Sequence, residues 1–274
     1  MKLGLVGQHI QKTQSNRLHT WLGRQYGLDV SYELFDLVLD DTPALAELLH
    51  RLGEQGYRGV NVTHPYKVKA WDIVGERRHT PAGLGALNTV VFEAGGIVGT
   101  NTDCSGFGRA YRAAQPGLNP GRVFVKGTGG VGRAVAFGLA ALDAEHIYLY
   151  DEQAASQQQL LADLQAGGAR ASTVAAAEVD DCIRGCDGLV NATPVGHYST
   201  PGLAFAAGLL GGQRWAFDAV YTPVMTEFLQ GAERAGLNLI TGFELFLHQG
   251  IDAFEFFTGI KVDPDVARQG VSHV

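Results

Sequence analysis

The glycine pattern in "VFVKGTGGVGRAV" constrains this chain more than any other feature. Gly127, Gly129 and Gly132 form G-x-G-x-x-G directly after an apolar run and at the start of an alanine-rich run. The first glycine permits a tight turn, the second lets a pyrophosphate approach the backbone, and the third lets the helix pack on the strand. A bound anion then rests at the helix N-terminus, where unpaired N–H groups favour negative charge. The pattern predicts dinucleotide binding.

A carboxylate follows at the end of the next strand-like run. "HIYLYDEQ" ends its apolar part at Asp151, nineteen residues after Gly132. A carboxylate in this place accepts hydrogen bonds from the adenosine ribose and repels the extra phosphate of NADP. No arginine immediately follows Asp151, so we predict NAD, with NADP as the weaker alternative. The other interpretation of Asp151 is a surface residue that caps the next helix.

Strand-like and helix-like runs alternate along the whole chain, as is typical of an α/β protein. In the first half, leucines at 45, 48, 49 and 52 recur with helical spacing, and "LNTVVFEAGGIVGTNTD" predicts a hairpin. Two Pro-Gly turns in residues 115–121 mark a break in composition. We therefore predict a substrate-binding catalytic domain over residues 1–103, completed by residues 238–274, and a Rossmann NAD-binding domain over 104–237. The fold class is α/β, with a cleft between the Rossmann-type domain and the smaller α/β substrate domain.

Composition narrows the class of partner. The 274 residues are 46% hydrophobic and carry a formal net charge of -7, with basic residues scattered along the chain. This balance argues against nucleic acid or an anionic membrane as a partner and favours a small molecule. No apolar run approaches the roughly 20 residues of a membrane helix. The three cysteines lack the spacing of a redox pair, so we expect reduced thiols and a cytoplasmic protein.

Polar residues stand where the apolar runs of the first half stop. Lys67 follows Asn61 and Thr63, Asn88 follows "GAL", and "TNTD" ends in Asp103. If these ends converge, neutral hydroxyl and amide groups surround one cation and one carboxylate, a set suited to a polyhydroxylated substrate. A lysine beside a carboxylate can relay the proton of a hydroxyl while a nicotinamide takes the hydride. The alternative is that Lys67 starts a surface helix and pairs with a carboxylate there.

Two strand ends in the second half extend the predicted cofactor site. "LVNATPVG" places Asn191, Ala192 and Thr193 at the end of one strand, and "FDAVYTP" places Tyr221 at the end of another. Ligands of open α/β sheets lie outside the carboxyl ends of the strands. Ordinary turn chemistry explains the same residues equally well.

The motifs together resemble those of the shikimate dehydrogenase family, especially its NAD-using quinate/shikimate branch. "GVNVTHPYK" is similar to the family's N-V-T-x-P-[FY]-K, "GALNTV" to G-A-x-N-T, and "GTNTDCSGFGRA" to G-x-N-T-D-x-x-G. "GTGGVGRA", "VNATPVG", "DAVYTPVMTEFL" and "HQGIDAFEFFTG" extend the resemblance over nearly the whole chain. The family implies reversible oxidation of a ring hydroxyl of shikimate to the ketone 3-dehydroshikimate.

The resemblance also implies roles for individual residues. The catalytic acid-base pair is Lys67 and Asp103. The substrate-binding residues are Thr13, Ser15, Asn61, Thr63, Asn88, Tyr221 and Gln249. The cofactor-binding residues are Gly127, Thr128, Gly129, Gly130, Val131, Asp151, Asn191, Ala192, Thr193, Val220 and Gly242. No metal is implied, and the partner is a cyclic hydroxy acid bound by a monomer or homodimer.

Departures from the family pattern leave the substrate open. Where the family has S-x-[ST]-P-x-x-H, this chain has Thr13, Ser15 and Asn16, so a methyl is added and a proline is lost. An added methyl in a tight pocket shifts selectivity by about 1–3 kcal/mol. Phe243 and Leu245 are predicted to reshape the wall near the nicotinamide. Quinate or an amino-substituted analogue is therefore the alternative substrate.

Two other classes of function share part of this pattern. A catalytically weak, NAD-responsive regulatory or binding protein would retain the glycine loop, but the presence of both Lys67 and Asp103 argues against it. A folate-metabolising dehydrogenase of two-domain design explains the loop but not "NVTHPYK" and "NTD".

Overall fold

The computed structural model describes residues 1–38 and 42–271, which form two compact units. Unit 1 consists of Met1–Thr80, Gly85–Thr102 and Leu247–Val274, of which 39–41 and 272–274 lie outside the described residues. Unit 2 consists of Pro81–Leu84 and Asp103–Phe246.

Strands and helices alternate through much of the described chain, which confirms the predicted α/β class. The strands are β1 (Lys2–Gly7), β2 (Ser31–Asp36), β3 (Tyr57–Val62), β4 (Glu76–Arg77), β5 (Thr89–Glu93), β6 (Gly96–Thr100), β7 (Arg122–Lys126), β8 (His146–Tyr150), β9 (Ala171–Thr173), β10 (Gly188–Asn191), β11 (Trp215–Asp218) and β12 (Asn238–Ile240). The helices are α1 (Ser15–Gln25), α2 (Thr42–Glu54), α3 (Lys67–Ile73), α4 (Thr102–Ala114), α5 (Gly130–Ala141), α6 (Ala154–Ala166), α7 (Val179–Arg184), α8 (Glu227–Arg234), α9 (Gly242–Thr258) and α10 (Pro264–Val271).

The sheet of unit 1 mixes parallel and antiparallel pairs. Its strand order within the described residues is β2-β1-β3-β5-β6-β4, with β1 parallel to β2 and β3, and with β5 antiparallel to β3 and β6. The predicted leucine stripe of α2 is buried at 45, 48, 49 and 52, against Val60 and Val62 of β3 among others. Burial of each such leucine contributes about 1.5–3 kcal/mol. This packing fixes which face of β3 is apolar and leaves the polar side chains to the other face and to the strand end.

The predicted hairpin is formed by β5 and β6. Thr89 pairs with Thr100 at its open end and Glu93 with Gly96 at the turn, where Gly96 has φ +127°. Glycine adopts such a φ without the steric cost that other residues incur. The hairpin carries the segment 87–89 back to the end of β3, beside Asn61.

The sheet of unit 2 is parallel throughout its described residues, in the order β12-β11-β10-β7-β8-β9. Strand β7 has β10 on one side and β8 on the other, so the chain changes direction across the sheet at β7. Open α/β sheets bind their ligands at this switch point, outside the carboxyl ends of the strands. The glycine loop directly follows β7 and therefore lies there.

None of the described helices is long and apolar enough to cross a membrane. The three cysteines are free thiols, as predicted.

Candidate active site

Two of the glycines in the loop after β7 are required by packing. Gly127 has φ +97°, and a Cβ built on it would lie 2.8 Å from the carbonyl carbon and oxygen of Ala192. A Cβ on Gly132 would lie 2.0 Å from the backbone oxygen of Gly127, closer than real atoms approach. The first and third glycines thus let the turn, the loop after β10 and α5 pack closely.

The two glycines between them face open space. No described heavy atom lies within 4 Å of a Cβ built on Gly129 or Gly130, and both residues are exposed at the start of α5. Val131, the next residue, is half-buried in the first turn of the helix. Unpaired N–H groups and the helix dipole attract an anion at such a terminus, and the missing side chains leave room for it. This cradle fits the pyrophosphate of a dinucleotide.

Asp151 connects the end of β8 to the glycine loop. Its Oδ2 accepts hydrogen bonds from the Thr128 backbone N–H at 2.7 Å and from the Thr128 hydroxyl at 3.0 Å, and its Oδ1 accepts one from the Gln153 N–H at 2.8 Å. Burial alone would raise the pKa of Asp151, but the bonds from Gln153 and Thr128 outweigh it and lower the pKa. An ionised carboxylate has about four acceptor sites, so one remains for a ribose hydroxyl.

Thr128 positions the loop through its side chain. It is 3% exposed, and its hydroxyl oxygen also lies 2.9 Å from the Ser156 Oγ. Asp151 accepts hydrogen bonds from both the amide and the hydroxyl of Thr128. Thr128 therefore sets the distance between the glycine loop and the Asp151 carboxylate.

Asn191 and Thr193 hold the loop after β10. The fully buried Asn191 donates to the Val195 carbonyl at 3.0 Å and to Asp218 Oδ1 at 2.9 Å, and its own Oδ1 accepts from the Thr193 N–H at 3.1 Å and hydroxyl at 2.6 Å. This is the turn chemistry that the sequence offered as one interpretation. It shapes the loop whose Ala192 packs on Gly127.

Asp218 is a buried acid that the sequence analysis missed. It ends β11, has no exposed surface, and accepts bonds from Asn191, from the Val220 N–H at 3.0 Å and from the Thr226 hydroxyl at 2.6 Å. Burial raises the pKa of Asp218 to about 6, against the opposing effect of these three bonds. The sequence does contain a signal for Asp218, because this residue ends an apolar run as Asn191 does. Asp218 ties the ends of β10 and β11 to the start of α8.

Tyr221 and Gly242 lie beyond β11. Tyr221 is 37% exposed, and Val220, the residue before it, is buried. Gly242 starts α9, and a Cβ built on it would lie 2.6 Å from the Ala219 oxygen and 2.7 Å from the Val220 oxygen. Close approach of two backbones thus explains this glycine.

Four of the predicted substrate-binding side chains of unit 1 belong to one chain of polar contacts: Thr13, Ser15, Asn61 and Asn88. The Thr13 hydroxyl lies 3.1 Å from the Ser15 hydroxyl, and Ser15 in turn interacts with the hydroxyl of Tyr32. Tyr32 donates to Asn61 Oδ1 at 2.9 Å. Asn61 Nδ2 donates to the Thr89 hydroxyl at 3.1 Å. The chain thus links the start of α1, the strands β2 and β3, and the hairpin.

The same chain of bonds continues to the start of α4. Thr89 donates to Asn88 Oδ1 at 3.1 Å, and Asn88 Oδ1 also accepts the Thr102 N–H at 2.7 Å. Asn88 Nδ2 donates to the Thr102 hydroxyl at 3.0 Å. Asn61, Asn88, Thr89 and Thr102 are all at most 7% exposed. We call the connected residues the polar chain: Thr13, Ser15, Tyr32, Asn61, Thr89, Asn88 and Thr102.

Tyr32 is a member of the polar chain that the sequence did not indicate. It lies within β2 and does not stand at the end of an apolar run. Burial raises the pKa of Tyr32, so the residue stays a neutral phenol. His19 stacks on the Tyr32 ring with centroids 5.0 Å apart and planes at 7°, and burial lowers the pKa of His19 to about 3. A neutral ring on this face avoids placing a charge beside the polar chain.

The predicted catalytic pair lies at two helix starts. Lys67 is half-buried as the first residue of α3, and its carbonyl accepts the Leu87 N–H at 2.9 Å. Asp103, 8% exposed, is the second residue of α4, where the helix dipole favours a carboxylate. Lys67, through its carbonyl, and Thr102, the residue before Asp103, are thus both bonded to the segment 87–88.

Thr63 and Gln249 complete the predicted substrate set. Thr63 follows β3, is half-buried, and donates its N–H to the Val6 carbonyl at 2.9 Å. Gln249 is half-buried in α9. Among the described residues, no group of three or more acidic, histidine or cysteine side chains could hold a metal ion.

These features describe an α/β protein with a Rossmann-type dinucleotide site. Its other unit carries buried neutral hydroxyl and amide groups. The family model of the shikimate dehydrogenase substrate binding domain matches residues 5–90. A quinate/shikimate dehydrogenase (NAD(+)) of Corynebacterium efficiens is 35% identical over 97% of this chain and 95% of its own length. The chain belongs to the shikimate dehydrogenase family, which are oxidoreductases that act on a CH-OH group with NAD or NADP. This confirms the predicted family and enzyme class.

Two further relatives bear on cofactor and fold. A shikimate dehydrogenase (NADP(+)) of an Arthrobacter species is also 35% identical, over 97% of this chain and 92% of its own length. The solved structure of quinate dehydrogenase from Corynebacterium glutamicum in complex with NAD has a TM-score of 0.93, 33% identity, and coverage of 100% of this chain and 99% of that chain. Relatives of similar identity thus use different cofactors, so the choice for this chain depends on its own residues.

Proposed function

We propose that this protein is an NAD-preferring dehydrogenase that interconverts shikimate and 3-dehydroshikimate. The observation that carries the proposal is the similarity to quinate/shikimate dehydrogenases (NAD(+)) over 97% of the chain. The geometry of both predicted sites supports it.

The preference for NAD rests on the end of β8. Asp151 is held ionised against the glycine loop and is followed by Glu152, which is exposed. Two adjacent carboxylates repel the 2′-phosphate of NADP, whereas Asp151 accepts a hydrogen bond from a 2′-hydroxyl. Bound NAD supplies a nicotinamide that accepts a hydride; Gly129 and Gly130 hold its pyrophosphate and Asp151 its ribose.

Lys67 and Asp103 form the proposed acid-base pair. In the oxidative direction the hydroxyl proton of the carbinol would go to Lys67. The hydrogen on the same carbon would leave as a hydride, with the electron pair of its C–H bond, and bound NAD would accept it. In this proposal Lys67 accepts that proton and passes it on, Asp103 is the second member of the pair, and the reverse reaction returns the proton. General acid–base help of this kind contributes about 10²–10⁴-fold.

The polar chain is the proposed surface for the ring hydroxyls and the carboxylate. In this proposal Thr13 and Ser15 bind the carboxylate, and Asn61 and Asn88 bind ring hydroxyls. Three residues outside the polar chain are also assigned to ring hydroxyls: Thr63, Tyr221 and Gln249. The internal bonds of Asn61 and Asn88 fix the direction of their amides before any substrate arrives, which reduces the entropy lost on binding.

Quinate is the second candidate substrate. The observation that favours it is Thr13, whose methyl adds bulk where its hydroxyl bonds Ser15. Quinate carries an extra hydroxyl on the carbon that bears the carboxylate, so this is where the two acids differ. A catalytically weak NAD-responsive protein is the candidate from another class.

The proposal also covers the domain boundaries, the oligomeric state and the location of the protein. We assign substrate binding to residues 1–103 with 238–274 and NAD binding to residues 104–237, in a monomer or homodimer located in the cytoplasm. Free thiols suit a reducing compartment. Light scattering of the purified protein and fractionation of cells check the oligomeric state and the location.

The experiment is NADH production followed by absorbance, with shikimate and with quinate, each repeated with NADP. We expect rapid turnover of one acid with NAD and at least tenfold lower kcat/KM with NADP. Asp151→Asn should narrow that preference, while Glu145→Gln, an exposed carboxylate at the opposite end of β8, serves as the matched control for loss of one charge. Absence of turnover on both acids, with NAD binding intact, would refute the proposed activity and favour the binding protein.

A further inference from the structure

The ring of Tyr221 is stacked on Phe246. Their centroids lie 5.8 Å apart and their planes differ by 14°, an offset parallel pair. Phe246 also meets Phe243 at 6.3 Å and 44°. A stacked partner restricts rotation of the Tyr221 ring, which is 37% exposed and follows β11 without being part of it.

The stack is set by the start of α9. Gly242 and Phe246 are four residues apart in the helix and share one face. Gly242 touches the backbone at Ala219 and Val220, the two residues that precede Tyr221. The close approach therefore places the next residue on that face, Phe246, against the Tyr221 ring.

The phenol of Tyr221 stays neutral at physiological pH. Burial raises its pKa from an ordinary value that is already near 10. The hydroxyl can therefore both donate and accept a hydrogen bond. Whether the Tyr221 hydroxyl can form a hydrogen bond with a polar ligand then depends on the position of the ring.

We propose that Phe246 is a positioning residue that fixes the Tyr221 ring for binding of the cyclic hydroxy acid. The inference rests on the proposed function, because it assigns Tyr221 to the substrate. Phe246 acts through Tyr221 on substrate affinity, and hydride transfer and NAD binding do not depend on it.

The test is a double-mutant cycle of Phe246→Leu and Tyr221→Ala, measured on whichever acid the wild-type protein oxidises. A ring pair of this geometry contributes about 0.5–1.5 kcal/mol, so we expect Phe246→Leu to raise the substrate KM about 2- to 13-fold. The kcat and the KM for NAD should change less than about twofold. Phe246→Tyr, which keeps the ring, should restore the wild-type KM. Phe256→Leu, another half-buried phenylalanine of α9, controls for loss of a ring from the helix.

The outcomes separate this inference from the function on which it rests. If Phe246→Leu has no further effect on KM in the Tyr221→Ala protein, Phe246 acts through Tyr221 as proposed. Additive effects, or a Tyr221→Ala protein with unchanged KM, overturn the inference while the dehydrogenase activity stands. A wild-type protein that oxidises neither acid overturns the proposed function and the inference with it. Thermal unfolding of each variant shows that the compared proteins are folded.

Discussion

The polar chain of unit 1 and the glycine loop of unit 2 prepare for ligands in opposite ways. The polar chain consists of side chains in polar contact with one another, and those from Tyr32 to Thr102 are joined by hydrogen bonds. Several of them are nearly inaccessible to solvent. The glycine loop leaves its backbone uncovered at Gly129 and Gly130. One region holds donors and acceptors in fixed directions, and the other holds space open.

The difference follows from what each region is proposed to recognise. Hydroxyl groups around a ring require directed partners, because a hydrogen bond weakens steeply when it bends. A pyrophosphate is bound by several N–H groups and a helix dipole, for which close approach matters more than direction. Substitutions should therefore act on orientation in unit 1 and on access in unit 2.

The largest effect is expected at Lys67, where chemistry rather than shape is removed. Lys67→Ala should lower kcat by about 10²–10⁴-fold, because the proton of the reacting hydroxyl loses its acceptor. NAD affinity, measured by fluorescence titration, should not change. Lys69→Ala, on the same short helix, is the matched control. Turnover that survives Lys67→Ala would remove the proposed acid-base pair.

Substitutions of two glycines test the claim that unit 2 works by access. Gly129→Ala should weaken NAD binding at least tenfold and change the free energy of unfolding by no more than about 1 kcal/mol, since only a helix cap is altered. Gly132→Ala should instead destabilise the protein by several kcal/mol, because its Cβ would lie 2.0 Å from the Gly127 oxygen. Calorimetric titration and denaturant unfolding measure the two quantities. Equal behaviour of the two variants would contradict the assignment.

Thr89→Val tests the claim that unit 1 works by orientation. The change preserves shape but leaves Asn61 Nδ2 and Asn88 Oδ1 each without one partner, at a cost of about 1–3 kcal/mol in unfolding free energy. Substrate KM should rise as well. Thr20→Val is the control, since the Thr20 hydroxyl bonds only to carbonyls of its own helix region. A Thr89→Val protein as stable as Thr20→Val would show that the polar chain has little energetic weight.

The smallest expected effect is a pH dependence of the unfolding free energy caused by Asp218 of unit 2. Because burial raises the pKa of Asp218 to about 6 in the folded protein, above its value in the unfolded chain, the folded state binds the proton more tightly. Its contribution to stability is complete below about pH 4 and is lost as pH rises to about 6, with a slope of at most about 1.4 kcal/mol per pH unit. Asp218→Asn should remove that slope from unfolding curves measured between pH 4 and 7. The neutral polar chain of unit 1 should show no counterpart, so Asn61→Ser should leave the slope in place.

The sequence predicted those features of the fold that depend on short-range patterns, such as helical spacing, strand alternation and glycines at turns. The G-x-G-x-x-G loop, the leucine stripe of α2 and the β5–β6 hairpin are confirmed, because glycine, helical spacing and alternation act over a few neighbouring residues. The family was recognised for the same reason, through motifs that stand at strand ends.

Partners distant in sequence were not predictable in this way. Tyr32 bonds Asn61 across 29 positions and Asn191 bonds Asp218 across 27, and nothing near either residue indicates its partner. Sequence analysis assigned Asn191 and Thr193 to the cofactor or to turn chemistry, and the structure shows their side chains bonded to each other. Whether they also touch the cofactor stays a prediction, as do the roles of the other site residues.

The uncovered backbone at Gly129 and Gly130 has a consequence for selection. Neither glycine has a positive φ or a close neighbour among the described residues, so folding alone does not require it, unlike Gly127 and Gly132. A library of variants sorted for stability should therefore accept many residues at 129 and 130, whereas one sorted for growth on a cyclic hydroxy acid should return glycine. Positions at which the two sorted libraries differ would be those where ligand binding, and not folding, restricts the choice of residue.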